Sequence, residues 1–192
     1  HNSPYTLLDS VIESATGQNL NAFINAKIKS ATGMTGAFFK SGYNNVFYST
    51  PRSFARYGLL LMNKGVWNGT DLLKDSNYFK SMTTSSQSLN KSYGYLTWLN
   101  GKESFMLPSL QTIFNGQLCP DAPAEMFAAL GKNGQIINVI PSQNLVMIRM
   151  GNMWTTSNVP NEFNNDIWKR LKQVICSIGT NNIKESSQDF TV

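Results

Sequence analysis

Apolar positions along this chain follow two regimes. In the first part they recur at helical spacing: Leu7, Leu8, Val11 and Ile12 follow Ser3-Pro4 and stop at Gly17, and Leu20, Phe23, Ile24 and Ile28 stop before Gly33. Phe54, Tyr57 and Leu61 follow Thr50-Pro51 and stop at Gly65. A hydroxyl residue ahead of proline is an N-cap with proline at the first helical position, and glycine just past the last apolar residue ends the helix. The segment "GAFFKSGYNNVFYST" between the second and third stripes reads as a Gly-, Ser- and Asn-rich loop. Gly65 to Gly69 forms a turn into a shorter helix around Asp75 to Met82.

The later part changes period. "SYGYLTWLNG" sets Tyr93, Tyr95, Thr97 and Leu99 against Gly94, Leu96 and Trp98, which is strand-like. "AEMFAALG" fits a strand or a short helix equally. "GQIINVIP" and "NLVMIRMG", separated by Ser142 and Gln143, read as a β-hairpin. Phe163, Ile167, Leu171, Val174, Ile175 and Ile178 then make the apolar face of a closing helix, and residues 180–192 carry no pattern and read as a frayed tail. Helices, an antiparallel sheet and a last helix place residues 1–179 in one α+β domain.

Length and composition narrow the class. A chain of 192 residues that is 41% hydrophobic and 14% charged holds a single domain with a sizeable core. Its longest apolar run, Tyr57 to Met62, is far too short for a membrane span. The net charge of +5 is spread over lysines in separate segments, with no basic stripe interleaved with aromatics, so nucleic acid is not an expected partner. Low charge with abundant Asn, Ser and Thr fits a periplasmic or secreted protein, although the chain contains no signal peptide and does not begin with Met, which reads as processing or truncation. Cys119 and Cys176 are either one long-range disulfide or two separate thiols.

Elimination directs attention to one lysine. The single histidine is His1, which disfavours Ser-His-Asp and Cys-His arrangements. No His/Cys cluster has metal-ligand spacing, and neither a P-loop nor a dinucleotide fingerprint occurs, so no cofactor is expected. Lys132 stands between Gly131 and Gly134 at the front of the hairpin. Small neighbours let a substrate approach, the ammonium offers a point charge to a carboxylate or a developing anion, and the following backbone N–H groups are candidate oxyanion donors. The competing reading is an exposed lysine in an ordinary Gly-Lys-Asn-Gly turn.

Lys132-Asn133-Gly134 resembles the K-T-G motif of the penicillin-recognising serine hydrolases, the family of β-lactamases, penicillin-binding proteins and class C-like esterases, with Asn in place of Thr. "STPRSFARYGLLLMNKGVWNG" is similar to a helix of that family, "GQIINVIPSQNLVMIRMG" to its hairpin, and "NSPYTLLDSVIESATGQNLNAFI" to the stretch after its Y-x-N motif. The resemblance implies a β-lactamase-like antiparallel sheet flanked by helices, present only in its C-terminal portion. It makes Asn2 the asparagine of Y-x-N, with the catalytic tyrosine and the S-x-x-K nucleophile ahead of this chain.

Carried over residue by residue, the resemblance implies acyl transfer to serine from an ester, amide or β-lactam-like substrate. Lys132 would orient substrate charge, the Gln135 N–H would be an oxyanion donor, and the Asn2 amide would position substrate. Asn133 and Gly134 would contact substrate, and Trp98 and Tyr93 would line the cleft unless they serve the core. The expected partners are a small or peptide-like acyl substrate and the missing N-terminal segment of the same domain; the chain alone is expected to be inactive. Asn133 in place of Thr argues against true β-lactamase activity and for an esterase, amidase or peptidase. Ser88-Leu89-Asn90-Lys91 satisfies S-x-x-K literally, but in a polar stretch where the pattern arises by chance. The alternative is a non-catalytic binding module of the same fold.

Overall fold

The structure is a computed structural model describing residues 3–154 and 157–175. Asn2, Cys176, Ile178 and the tail 180–192, all named above, lie outside the described residues.

Helix α1 (Ser3–Thr6) and helix α2 (Leu8–Thr16) meet at Leu7 and end at Gly17, whose φ of 66° is the left-handed cap expected there. Ser3 is the first residue of α1 instead of its cap. Leu7, Leu8 and Val11 are 61%, 44% and 59% exposed, so this apolar stripe covers nothing among the described residues. Helix α3 (Leu20–Ile24) runs through a π-turn (Asn25–Lys29) into helix α4 (Ser30–Thr32) and stops at Gly33.

The expected loop that follows is a hairpin, strand β1 (Ala37–Ser41) and strand β2 (Asn44–Tyr48). Its two-residue turn starts at Gly42 with φ 61°, the sign such turns need at that position. Phe38 and Phe47 meet across the strands with rings tilted by 56°, and Phe47 meets Phe54 edge-on at 5.9 Å, which fixes the hairpin to the next helix.

Helix α5 (Pro51–Met62) is capped as expected, the Thr50 hydroxyl accepting from the Ser53 N–H at 3.2 Å. Strands β3 (Val66–Trp67) and β4 (Thr70–Asp71) form the next turn, and helix α6 (Ser76–Met82) is capped by Asp75. "SYGYLTWLNG" is not one strand: Tyr93 doubles back to bridge Trp98 around a turn closed by the Gly94 N–H donating to the Thr97 carbonyl. Only strand β5 (Trp98–Leu99) joins the main sheet.

A small ribbon, strands β6 (Ser104–Phe105) and β7 (Phe114–Asn115), precedes strand β8 (Phe127–Gly131), which resolves "AEMFAALG" as a strand. Strand β9 (Gln135–Ile140) and strand β10 (Leu145–Arg149) form the expected hairpin, and the antiparallel sheet runs β10-β9-β8-β5.

That sheet carries the core on both faces. Leu99, Phe127, Ile137 and Val139 pack with Leu61 of α5 and Met82 of α6. Trp98, Ala128, Leu130, Ile136 and Ile140 pack on the other side with Leu118, Cys119, Met126 and Trp168. Because β9 is covered on both faces, its sequence is a nearly unbroken apolar run. Each such fully buried aliphatic side chain contributes about 1.5–3 kcal/mol. Helix α7 (Asn161–Leu171) buries Asn161, Asn164 and Trp168, with Phe163, Ile167 and Leu171 packed alongside, while Val174 is 73% exposed and falls off the expected face.

Candidate active site

Lys132 sits at the front of the β9–β10 hairpin, in a three-residue 3-10 turn, Lys132–Gly134, joining β8 to β9. Gly131 ends β8 opposite Gln135, the first residue of β9. Asn133 inside this turn has φ 63° and ψ 22°, a left-handed conformation that asparagine tolerates and β-branched residues resist. Gly134 has φ 83°, and a Cβ there would lie 2.8 Å from Arg149 Nη1 and 3.2 Å from Met153 Cβ. Turn geometry and close packing therefore account for Asn133 and Gly134. A Thr at 133 would restore the K-T-G letters at a position whose left-handed backbone disfavours a β-branched residue. Asn133→Thr is expected to lower stability by about 1–2 kcal/mol, and Asn133→Gly to be nearly neutral; the urea midpoints of the two variants check this.

The turn is braced from one side. Arg149 Nη1 donates to the Gly134 carbonyl at 3.0 Å and also to that of Gly151, Nη2 donates to Asn152 at 2.6 Å, and the guanidinium lies 4.9 Å from the centre of the Phe163 ring. The Gln135 side chain donates to the Gly151 carbonyl at 2.8 Å and accepts from its N–H at 3.1 Å. Arg149, absent from the sequence reading, was signalled only as the one charge in an apolar run. The Lys132 side chain is exposed and, among the described residues, has no hydrogen bond or ion pair, so its charge is available to a ligand.

Trp98 pairs with Ala128 in antiparallel register, so the turn preceding it lies toward the Lys132 end of β8, where Ala129 is exposed. Trp98 itself is 7% exposed and belongs to the core, with the half-buried Tyr93 ring 4.8 Å away edge-on; the expectation that these rings line an open cleft gives way to packing. Burial pushes the phenols of Tyr93 and Tyr57 above the usual tyrosine range, away from the phenolate a base would need. Cys119 is fully buried, and burial pushes its thiol up to about 12, an inert packing role.

Ser88 and Lys91 do not form a nucleophile pair. Ser88 lies in an exposed bend outside any helix, and Lys91 is paired with Glu103, whose carboxyl that hydrogen bond holds below the usual range. Two surface depressions, of about 400 Å³ beside Met62 to Gly69 and about 250 Å³ between Asp9 and Lys40, include neither the Lys132 turn nor Ser88.

No family model and no curated protein matches the chain. Solved structures do, among them two hydrolase-type enzymes by name. A provisionally named 6-aminohexanoate-dimer hydrolase from Bacillus anthracis superposes with a TM-score of 0.64 at 22% identity, over 92% of this chain and 45% of its own. A provisionally named beta-lactamase from Bacteroides dorei DSM 17855 gives 0.56 at 12% identity, over 86% of this chain and 54% of its own. The chain thus spans about half the length of each of these proteins. It has the β-lactamase/transpeptidase-like fold, an α+β architecture of helices around an antiparallel sheet.

Proposed function

We propose that this chain supplies the sheet side of a serine hydrolase site that works through an acyl-enzyme, with the nucleophile, its S-x-x-K lysine and the catalytic tyrosine carried by further sequence. The observation that supports this reading is the fold, which the chain has in common with two proteins named as hydrolases while covering about half of each. In the proposed reaction a serine oxygen adds to the carbonyl carbon of an ester or amide as its proton passes to the lysine–tyrosine pair. The carbonyl then re-forms, the bond to the leaving group breaks, and that group takes up the proton. Water repeats the sequence on the acyl-serine and releases the acid.

The roles proposed for this chain are electrostatic and positional. The Lys132 ammonium, unpaired among the described residues, attracts an anionic group of the substrate, the Gln135 backbone N–H is the candidate oxyanion donor, and the Arg149 brace holds the turn that carries the lysine and leads into Gln135. Asn2 is kept as a proposed substrate contact. Composition supports a periplasmic or secreted setting. The second reading, a ligand-binding module without chemistry, is favoured by one observation: Ser88, the serine of the literal S-x-x-K, lies in an exposed bend outside any helix.

The test compares the 192-residue chain with the complete translation product of its gene on nitrocefin and p-nitrophenyl esters. No turnover by the chain alone is expected, with turnover by the longer product that Lys132→Ala lowers about 100-fold in kcat/KM. Robust turnover by the chain alone that Ser88→Ala abolishes would overturn the proposal. Saturable binding by the longer product without hydrolysis would establish the module instead.

A further inference from the structure

Ala129 is the one exposed residue of β8, with buried residues on either side of it. It shares a face of the sheet with Phe127 and with Ile137 opposite, and Phe79 of α6 meets Phe127 edge-on at 6.2 Å, so α6 stands over that face beside it. Continuing the register of Trp98 with Ala128 puts the turn 94–97 level with Ala129. An opening in the sheet's cover is thus flanked by α6 and by this turn.

The turn is held in a costly shape. Leu96 has φ 51°, a left-handed conformation that leucine rarely adopts, and it stays 58% exposed, so burial does not repay the strain. Its neighbours fasten it. The Gly94 N–H donates to the Thr97 carbonyl at 2.8 Å, the Thr97 hydroxyl donates to the Tyr95 carbonyl at 2.9 Å, and the Ser86 hydroxyl donates to the Tyr93 carbonyl at 3.1 Å. A Cβ on Gly94 would lie 2.1 Å from the Met82 carbonyl oxygen, which shows how closely the turn abuts the end of α6. Strained backbone that its surroundings enforce, carrying an apolar side chain that the core does not take, is characteristic of ligand clamps.

The fastened turn presents an aromatic wall. Tyr95 is 47% exposed and Tyr78 of α6 is 51% exposed, with ring centres 5.9 Å apart and planes tilted by 42°. A ligand ring can meet such a pair edge-to-face or offset, the arrangements aromatic groups prefer. Lys132 follows Ala129 by three residues, about 10 Å at about 3.3 Å per extended residue. We propose that Tyr95, Tyr78 and Leu96 receive an aromatic group of the substrate while Lys132 takes its anionic group, so that the preferred substrate is an aryl-bearing acyl compound with a negative charge. These residues take the place of Tyr93 and Trp98, which pack with the core. The inference rests on the hydrolase reading of the Lys132 turn.

Isothermal titration of the complete translation product with 4-phenylbutanoate and with butanoate tests it, because the two acids differ only in the ring. The phenyl acid is expected to bind at least about tenfold more tightly. Tyr95→Ala is expected to abolish that preference without changing butanoate binding, Tyr95→Phe to keep it, and Lys132→Ala to weaken both acids alike. Tyr78→Ala, on a different element, reads the same loss independently of folding at the turn. Equal binding of the two acids, or a preference that survives both Tyr95→Ala and Tyr78→Ala, refutes the inference. Hydrolysis of p-nitrophenyl esters by the same samples separates the two readings. Ring-dependent binding without hydrolysis sinks the enzyme and keeps the aromatic wall, and hydrolysis without ring-dependent binding does the reverse.

Discussion

Replacing Trp168 by alanine is expected to lower the unfolding free energy by about 3–5 kcal/mol. The indole is 1% exposed and sits at the centre of the cluster joining α7 to Trp98, Leu130, Ile136 and Ile140 of the sheet. Truncation loses the transfer free energy of the ring and leaves a cavity under a four-stranded sheet whose main chain limits collapse. Trp168→Phe is expected to cost much less, because the buried indole N–H has no hydrogen-bond partner among the described residues. Urea unfolding of the two variants decides it, and equal losses would show that shape alone governs the site.

The second large effect lies one turn earlier on the same helix. Asn138 on β9 and Asn164 on α7 are both fully buried and exchange two hydrogen bonds, at 2.7 and 3.1 Å. Asn164 also donates weakly to the Cys119 sulfur at 3.6 Å, and Asn100 holds the loop at Cys119 through bonds to and from its backbone. Asn138→Ala leaves the Asn164 amide buried with its main partner gone, an expected loss of about 2–3 kcal/mol. Changing both residues to leucine is expected to cost less than the sum of the two single changes, because no buried polar group is then orphaned. A double-mutant cycle in urea measures the coupling; strict additivity would mean that the pair does not tie α7 to the sheet.

These residues mark where the sequence stopped being readable. The closing helix was legible from its apolar spacing, but its deepest face runs through Asn161, Asn164 and Trp168, and two of those three are polar. An asparagine looks like a break in an apolar stripe until its partner, 26 positions away, is in view. The hairpin of β1 and β2 was hidden for a different reason. Its strands are five residues each and carry Lys40, Ser41, Asn44 and Asn45 at the turn end, so neither shows a sustained apolar alternation.

At the candidate site the sequence supplied Lys132 and its small neighbours but not their conformation. Turn and strand differ there by the positive φ angles of Asn133 and Gly134, and the first also explains why asparagine stands where the resemblance called for threonine. Arg149 was missed because a brace formed through backbone carbonyls has no sequence pattern of its own.

By itself the sequence determined the local grammar of this protein: the Thr50-Pro51 start of α5, the glycine stops, the β9–β10 hairpin and the α+β class. Those features depend on sterics and capping within a few residues. Only the tertiary structure decided which faces meet, that Asn138 and Asn164 satisfy each other, that Trp98 is core, and that α2 presents an uncovered surface. Periodicity reports that a side of an element is apolar; what it packs against, or whether anything covers it, is fixed by distant parts of the chain.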